Sequence, residues 1–150
     1  MGTKVLITGA LHPVALEGLA KIDKLEVRYM PDATFADFRE ELKDTHVLVS
    51  RSETDVGREL IDAAPELKLI ARAAVGVGNI DLEYATEKGI LVMNTPGKNT
   101  NSAAELTMAL LLGMFRKIPE AQMTLKSGGW DRHRFTGIEL RGKRGGIVGL

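Results

Sequence analysis

The chain is 150 residues long and 44% hydrophobic, with 16 glycines and 5 prolines, a composition that suits a globular protein with one sizeable core. Its 20 basic residues balance 20 acidic ones, so no net field draws it to nucleic acid or to an anionic membrane. It has no cysteine, which excludes disulfides, thiolate metal sites and cysteine nucleophiles.

Residues 1–8 are too short and too strand-like for a signal peptide. The apolar stretch 106–115 falls well short of the ~20 residues that span a bilayer. The expectation is a cytoplasmic protein with no nucleic-acid or membrane partner.

Five short apolar runs, 4–8, 25–29, 46–49, 67–71 and 90–93, are predicted strands. Segments 14–22, 35–42, 56–64 and 82–88 between them are predicted helices. Short β-branched strands alternating with helices indicate βαβ units and an open parallel sheet, an α/β fold. Pro13 is placed to open the first helix. Thr54 and Asp55 are candidate caps for the third, with Pro65 to stop it. Asp81 is the candidate cap of the fourth, which ends against Gly89 in the left-handed position.

After Asn94 the pattern changes. Ser102-Ala103-Ala104-Glu105 reads as a capping box opening a helix over about 102–118. Its residues 106–115 are apolar on every side, and a helix apolar all round must be covered all round. It is therefore expected between domains or subunits. Pro119 kinks or restarts it, Gly128-Gly129 ends the second piece, and a polar, basic connection runs over 130–143. Gly145-Gly146-Ile147-Val148-Gly149-Leu150 reads as a new strand entering a glycine turn. Gly149 would begin a dinucleotide fingerprint whose remaining glycines and ribose-binding acid are expected beyond Leu150.

In an open parallel sheet, ligands bind beyond the carboxyl ends of the strands. The residues there are Thr8 and Gly9, then Ser50, Arg51 and Ser52, then Arg72 and Val75-Gly76-Val77-Gly78, then Asn94, Thr95 and Asn99. Guanidinium groups grip carboxylates or phosphates through paired bonds, and successive backbone N–H groups form a nest for the same charge. The set points to a small anion. The plainer readings are that Arg51 and Arg72 are each paired with a carboxylate for structure alone, and that Gly76 and Gly78 make only a tight turn. His12 and His46 are expected to be structural and His133 solvated. No histidine–carboxylate pair suggests a general base, and no ligand spacing suggests a metal.

Several blocks resemble the D-isomer-specific 2-hydroxyacid dehydrogenases. They are Arg51-Ser52-Glu53-Thr54, the run from Leu69 through Asp81, Gly89 through Pro96 with Asn99, Ser102 through Thr107, Gly129-Trp130-Asp131-Arg132 with Phe135, Gly137, Glu139 and Leu140, and Gly146 through Leu150. The resemblance implies a flavodoxin-like substrate-binding domain over 1–98. It implies that 99–150 is the start of an NAD-binding Rossmann domain, here its opening helices and first strand, with the 102–118 helix at a subunit interface of a homodimer or homotetramer.

It further implies that Val75, Gly76 and Val77 hold a substrate carboxylate, that Arg51 with Ser52 recognises a distal charged group, and that Asn99 borders the cleft. The catalytic histidine, its carboxylate partner and an orienting arginine are expected beyond Leu150, so these 150 residues alone are expected to be inactive. The implied activity is NAD-dependent oxidation of a small anionic D-2-hydroxyacid. A phosphorylated glycerate is the expected substrate, and glycerate, glyoxylate or another small acid is the alternative. A non-catalytic, NAD-sensing interaction protein of the same fold, or a free-standing binding module, is the alternative of another class. Ala74, where the family usually has glycine, and Gly78, where it usually has aspartate, depart from the pattern.

Overall fold

The computed structural model describes residues 2–148. The chain divides into two compact units, Met1–Lys98 and Asn99–Leu150.

The first unit is a five-stranded parallel sheet built from β1 (Thr3–Thr8), β2 (Leu25–Met30), β3 (Val47–Ser50), β4 (Leu69–Arg72) and β5 (Leu91–Met93). The strand order is β2-β1-β3-β4-β5, the flavodoxin-like order, with its switch point between β1 and β3. The connections are α1 (Pro13–Ala20), α2 (Phe35–Phe38) with a 3-10 turn at Glu41–Asp44, α3 (Arg58–Asp62) and α4 (Leu82–Glu87).

The register sets Leu6, Leu48, Ile70 and Val92 in one row across the sheet. That row faces the main core, where Leu6, Leu48 and Ile70 pack with Phe38, Leu42, Leu60, Ile61 and Ala85. The alternate rows are Val5-Val47-Leu69-Leu91 and Ile7-Val49-Ala71-Met93. They grow more exposed from β1 outward: Val5 is 3% and Ile7 0% exposed, whereas Leu91 is 60% and Met93 54% exposed.

The helix starts show which local signals prevail. Pro13 opens α1 behind His12, whose Nδ1 accepts from Val14 N–H, and Asp81 caps α4 through Tyr84 N–H. Gly89 sits at φ 71°, left-handed backbone that glycine adopts without a Cβ penalty. The segment 35–42 is not one helix. Asp37 accepts from both the N–H and the hydroxyl of Thr34, which fixes a single turn, and the chain then tightens into the 3-10 turn.

The third helix begins at Arg58 with Gly57 at its cap, not at Thr54 or Asp55. Val56 is drawn out of it by a parallel bridge to Ile80, and the Thr54 hydroxyl donates to Thr8 Oγ1.

The second unit carries α5 (Thr100–Phe115) and α6 (Ile118–Lys126). The expected Ser102–Glu105 box is not formed. The helix starts earlier, with Asn99 as its cap and Ala103 N–H on the Asn99 carbonyl, so Ser102 lies inside the first turn. Lys117, left-handed at φ 53°, separates α5 from α6, and Pro119 stands in the first turn of α6. Leu106, Met108, Leu110 and Met114 are all at least half exposed.

Gly137 lies so close to the end of α5 that a Cβ there would collide with Phe115 O. The expected strand at 145–148 is absent. No strand among the described residues pairs with it, and Ile147 and Val148 are 81% and 100% exposed; apolar sequence without a ladder partner does not make a strand. Gly149 lies outside the described residues.

Candidate functional site

The loops that follow β3 and β4 meet through one buried cation. Arg72 ends β4 directly opposite Ser50 of β3 and is 4% exposed. Its Nε donates to Gly76 O at 3.2 Å, its Nη1 to Arg51 O and its Nη2 to Asn79 Oδ1. Every acceptor is neutral, so the expectation of a structural carboxylate partner is replaced by a different structural role, a fork holding two loops together. Burial pulls the Arg72 guanidinium below its ordinary pKa, with nearby Glu53 acting in the opposite direction.

Asn79 completes the fork. Its Nδ2 donates to Thr54 O at 2.6 Å and Ser52 O at 3.2 Å, and its own carbonyl accepts from Val56 N–H at 2.8 Å. Sequence reasoning did not single out Asn79 as a site residue; an amide flanked by glycine and isoleucine carries no local signal for partners 25 and 27 residues away.

The 74–77 loop is held by its carbonyls. Ala74 O accepts from Thr95 N–H, Val75 O from Asn94 Nδ2, Gly76 O from Arg72 Nε and Val77 O from Ile80 N–H. Among the described residues, no acceptor is bonded to the N–H groups of Val75, Gly76 and Val77. With the carbonyls engaged, these successive N–H groups are donors left open, the kind of group that an anion can take up. Neither Gly76 nor Gly78 has positive φ, and a Cβ on either would meet nothing within 4 Å. The glycines are therefore not required by a tight turn, and they leave the backbone open to a ligand.

Arg51 follows β3. Its Nη1 donates to Ala10 O at 2.6 Å, while Nε lies 3.9 Å from Glu53 Oε2, too far for a hydrogen bond. Gly9, at φ 88°, allows this: a Cβ there would sit 3.0 Å from Arg51 Cβ. Arg51 and the 75–77 loop thus share Arg72 as a common support. Ser52 is exposed beside them. Asn99 belongs to the second unit, as the cap of α5.

None of the three histidines offers a base poised by a carboxylate. His46 Nδ1 accepts from Lys4 N–H at 3.0 Å, His12 caps α1, and His133 is exposed.

The family model for the D-isomer specific 2-hydroxyacid dehydrogenase catalytic domain matches residues 5–140. The chain belongs to this family. Within the dehydrogenase family it is 50% identical to the D-3-phosphoglycerate dehydrogenase of Methanocaldococcus jannaschii, over 98% of this chain and 28% of that enzyme. It thus spans little more than a quarter of that relative's length.

Among solved structures it resembles the TT0316 protein of Thermus thermophilus, with TM-score 0.83 and 33% identity over 92% of this chain and 46% of that one. It also resembles the NAD+-bound 3-phosphoglycerate dehydrogenase of Entamoeba histolytica, with TM-score 0.69 and 32% identity over 78% of this chain and 40% of that one. These likenesses agree with the flavodoxin-like sheet. No helix among the described residues is long and apolar enough to cross a membrane.

Proposed function

We propose that the chain supplies the substrate-binding part of an NAD-dependent D-2-hydroxyacid dehydrogenase that oxidises 3-phospho-D-glycerate to 3-phosphohydroxypyruvate. The observation that carries this is the 74–77 loop, whose carbonyls are all engaged and whose N–H groups at Val75, Gly76 and Val77 are not. Those donors take the substrate carboxylate, and Arg51, with Ser52 beside it, takes the distal phosphate through charge-assisted bonds. The two grips orient the acid so that C2 faces the nicotinamide, and orientation of this kind is what a protein contributes to cofactor chemistry. The activity named for the M. jannaschii relative supports this choice of acid.

No hydride or proton step is assigned to this chain's side chains. NAD and the catalytic groups belong to the remainder of the longer enzyme. The apolar surface of α5 is covered by a second copy, giving a homodimer or a homotetramer.

The test is an assay of the full-length protein for NADH formation with 3-phospho-D-glycerate, D-glycerate and D-lactate, and for NADH consumption with glyoxylate. Turnover of the phosphorylated acid with the highest kcat/KM is expected. A higher kcat/KM for an unphosphorylated acid transfers the reading to that substrate, and absence of all turnover removes the enzymatic reading.

A further inference from the structure

We infer that Asn79 is a positioning residue that makes the two grips of the site one mechanical unit, although it touches no substrate itself. The inference rests on the substrate site proposed above. The segment that carries Arg51 and the loop that carries the Val75, Gly76 and Val77 donors follow different strands, β3 and β4, which run side by side.

Two bonds from Asn79 hold the first segment, at Ser52 O and Thr54 O. Its Oδ1 holds the Arg72 guanidinium, whose other nitrogens bond Arg51 O and Gly76 O. One planar fork and one planar amide therefore fix the carbonyls of Arg51, Ser52, Thr54 and Gly76 relative to one another. A fork has a fixed angle between its donors, so the amide that orients it also sets how the Arg51 backbone stands against the Gly76 backbone. Loosening Asn79 releases both grips together, and a substrate held at two points loses affinity when their separation is no longer fixed.

Two measurements decide this. In the full-length protein, Asn79→Ala is expected to speed hydrogen exchange of the bonded amides in both segments, Thr54 N–H on Arg51 O in 52–54 and Ala73 N–H on Ser50 O in 73–77, while leaving β1 and β2 protected. Asn79→Asp keeps the acceptor for Arg72 and removes the donor, and is expected to release 52–54 alone. Faster exchange in only one segment for Asn79→Ala, or in all strands together, overturns the inference.

In the kinetic arm, Asn79→Ala is expected to raise KM for 3-phospho-D-glycerate about tenfold with kcat and KM for NAD nearly unchanged. The same substitution placed on Arg51→Ala should add less than about threefold, because contacts acting as one unit are not additive. Equal increments in both backgrounds overturn the coupling. If the unsubstituted protein turns over no 2-hydroxyacid, the proposed function falls, and the exchange measurement still decides the coupling on its own.

Discussion

Arg72 reaches from the end of β4 to the carbonyl of Arg51 at the end of β3, so the buried guanidinium holds the backbone of the half-buried one. The two arginines have opposite duties. Arg72 has its donors turned to neutral acceptors inside the protein, whereas Arg51 has Nη1 on Ala10 O and Nε enclosed without a partner, which leaves Nη2 as its open end.

Replacing Arg51 separates binding of the distal group from the rest. Arg51→Ala is expected to raise KM for the phosphorylated acid by roughly ten- to a hundredfold, the equivalent of ~1.5–3 kcal/mol for a charged hydrogen bond, with KM for NAD unchanged. Steady-state kinetics with both substrates varied checks it; equal KM values for wild type and variant remove the role.

Gly9→Ala tests the space that Arg51 occupies. The variant places a Cβ on backbone at φ 88° and 3.0 Å from Arg51 Cβ. A left-handed L-residue costs about 1–2 kcal/mol, so the melting temperature should fall by several degrees. KM for the acid should rise with it as Arg51 is displaced. Calorimetry and kinetics on one preparation measure both.

Arg72→Met removes a fork and leaves two oxygens without a donor, Gly76 O and Asn79 Oδ1, while Arg51 O keeps the Thr54 N–H. A buried acceptor left unpaired costs about 1–3 kcal/mol; these two are only part-buried, so urea denaturation should show a total loss on the order of 1–3 kcal/mol. Arg72→Lys should recover only part of it, since a single ammonium cannot reach three acceptors in fork geometry.

Acid titration reads the α4 cap. The Asp81 carboxyl is held below the ordinary aspartate range, first by the Tyr84 N–H and then by Arg58. A carboxylate depressed in the folded state adds stability above its unfolded pKa of about 3.9, and that stability disappears as pH falls through the folded value. Asp81→Ala should therefore melt below wild type at neutral pH, and the gap should close as the solution is acidified below about pH 4. A gap that persists at pH 2 would contradict the assignment.

The apolar surface of α5 makes a solution prediction. If a second copy covers it, Leu110→Glu buries an unpaired charge, and sedimentation should show monomer or aggregate where wild type shows an oligomer. An unchanged oligomer with unchanged melting would place the contact elsewhere.

The strands were legible because each is a short apolar run, and their alternation with helices pointed to a parallel sheet; its flavodoxin-like character was implied by the family resemblance. Arg51 and Gly76 were legible because they stand just past strand ends. What escaped depends on partners distant in sequence. Val56 has an apolar side chain suited to helix or strand, and only the bridge to Ile80 decides between them. Thr54 resembles a cap, but Thr8 captures its hydroxyl. The Ser102 box had the right letters three residues too late, since the chain turned at Asn99 first. A working reciprocal contact formed instead between Thr34 and Asp37, where aspartate stands in the usual place of glutamate.

The outward rise in exposure across the rows from Val5 to Leu91 bears on solubility. Apolar side chains and an open hydrogen-bonding rim coincide at β5, a pairing that invites a foreign strand to add to the sheet. β5 is only three residues long, Leu91–Met93, and Pro96 follows closely. Such a rim offers few successive rungs, and a proline has no N–H with which to extend them. The most adhesive side chains of the sheet are thus carried by the strand least able to template fibrous growth.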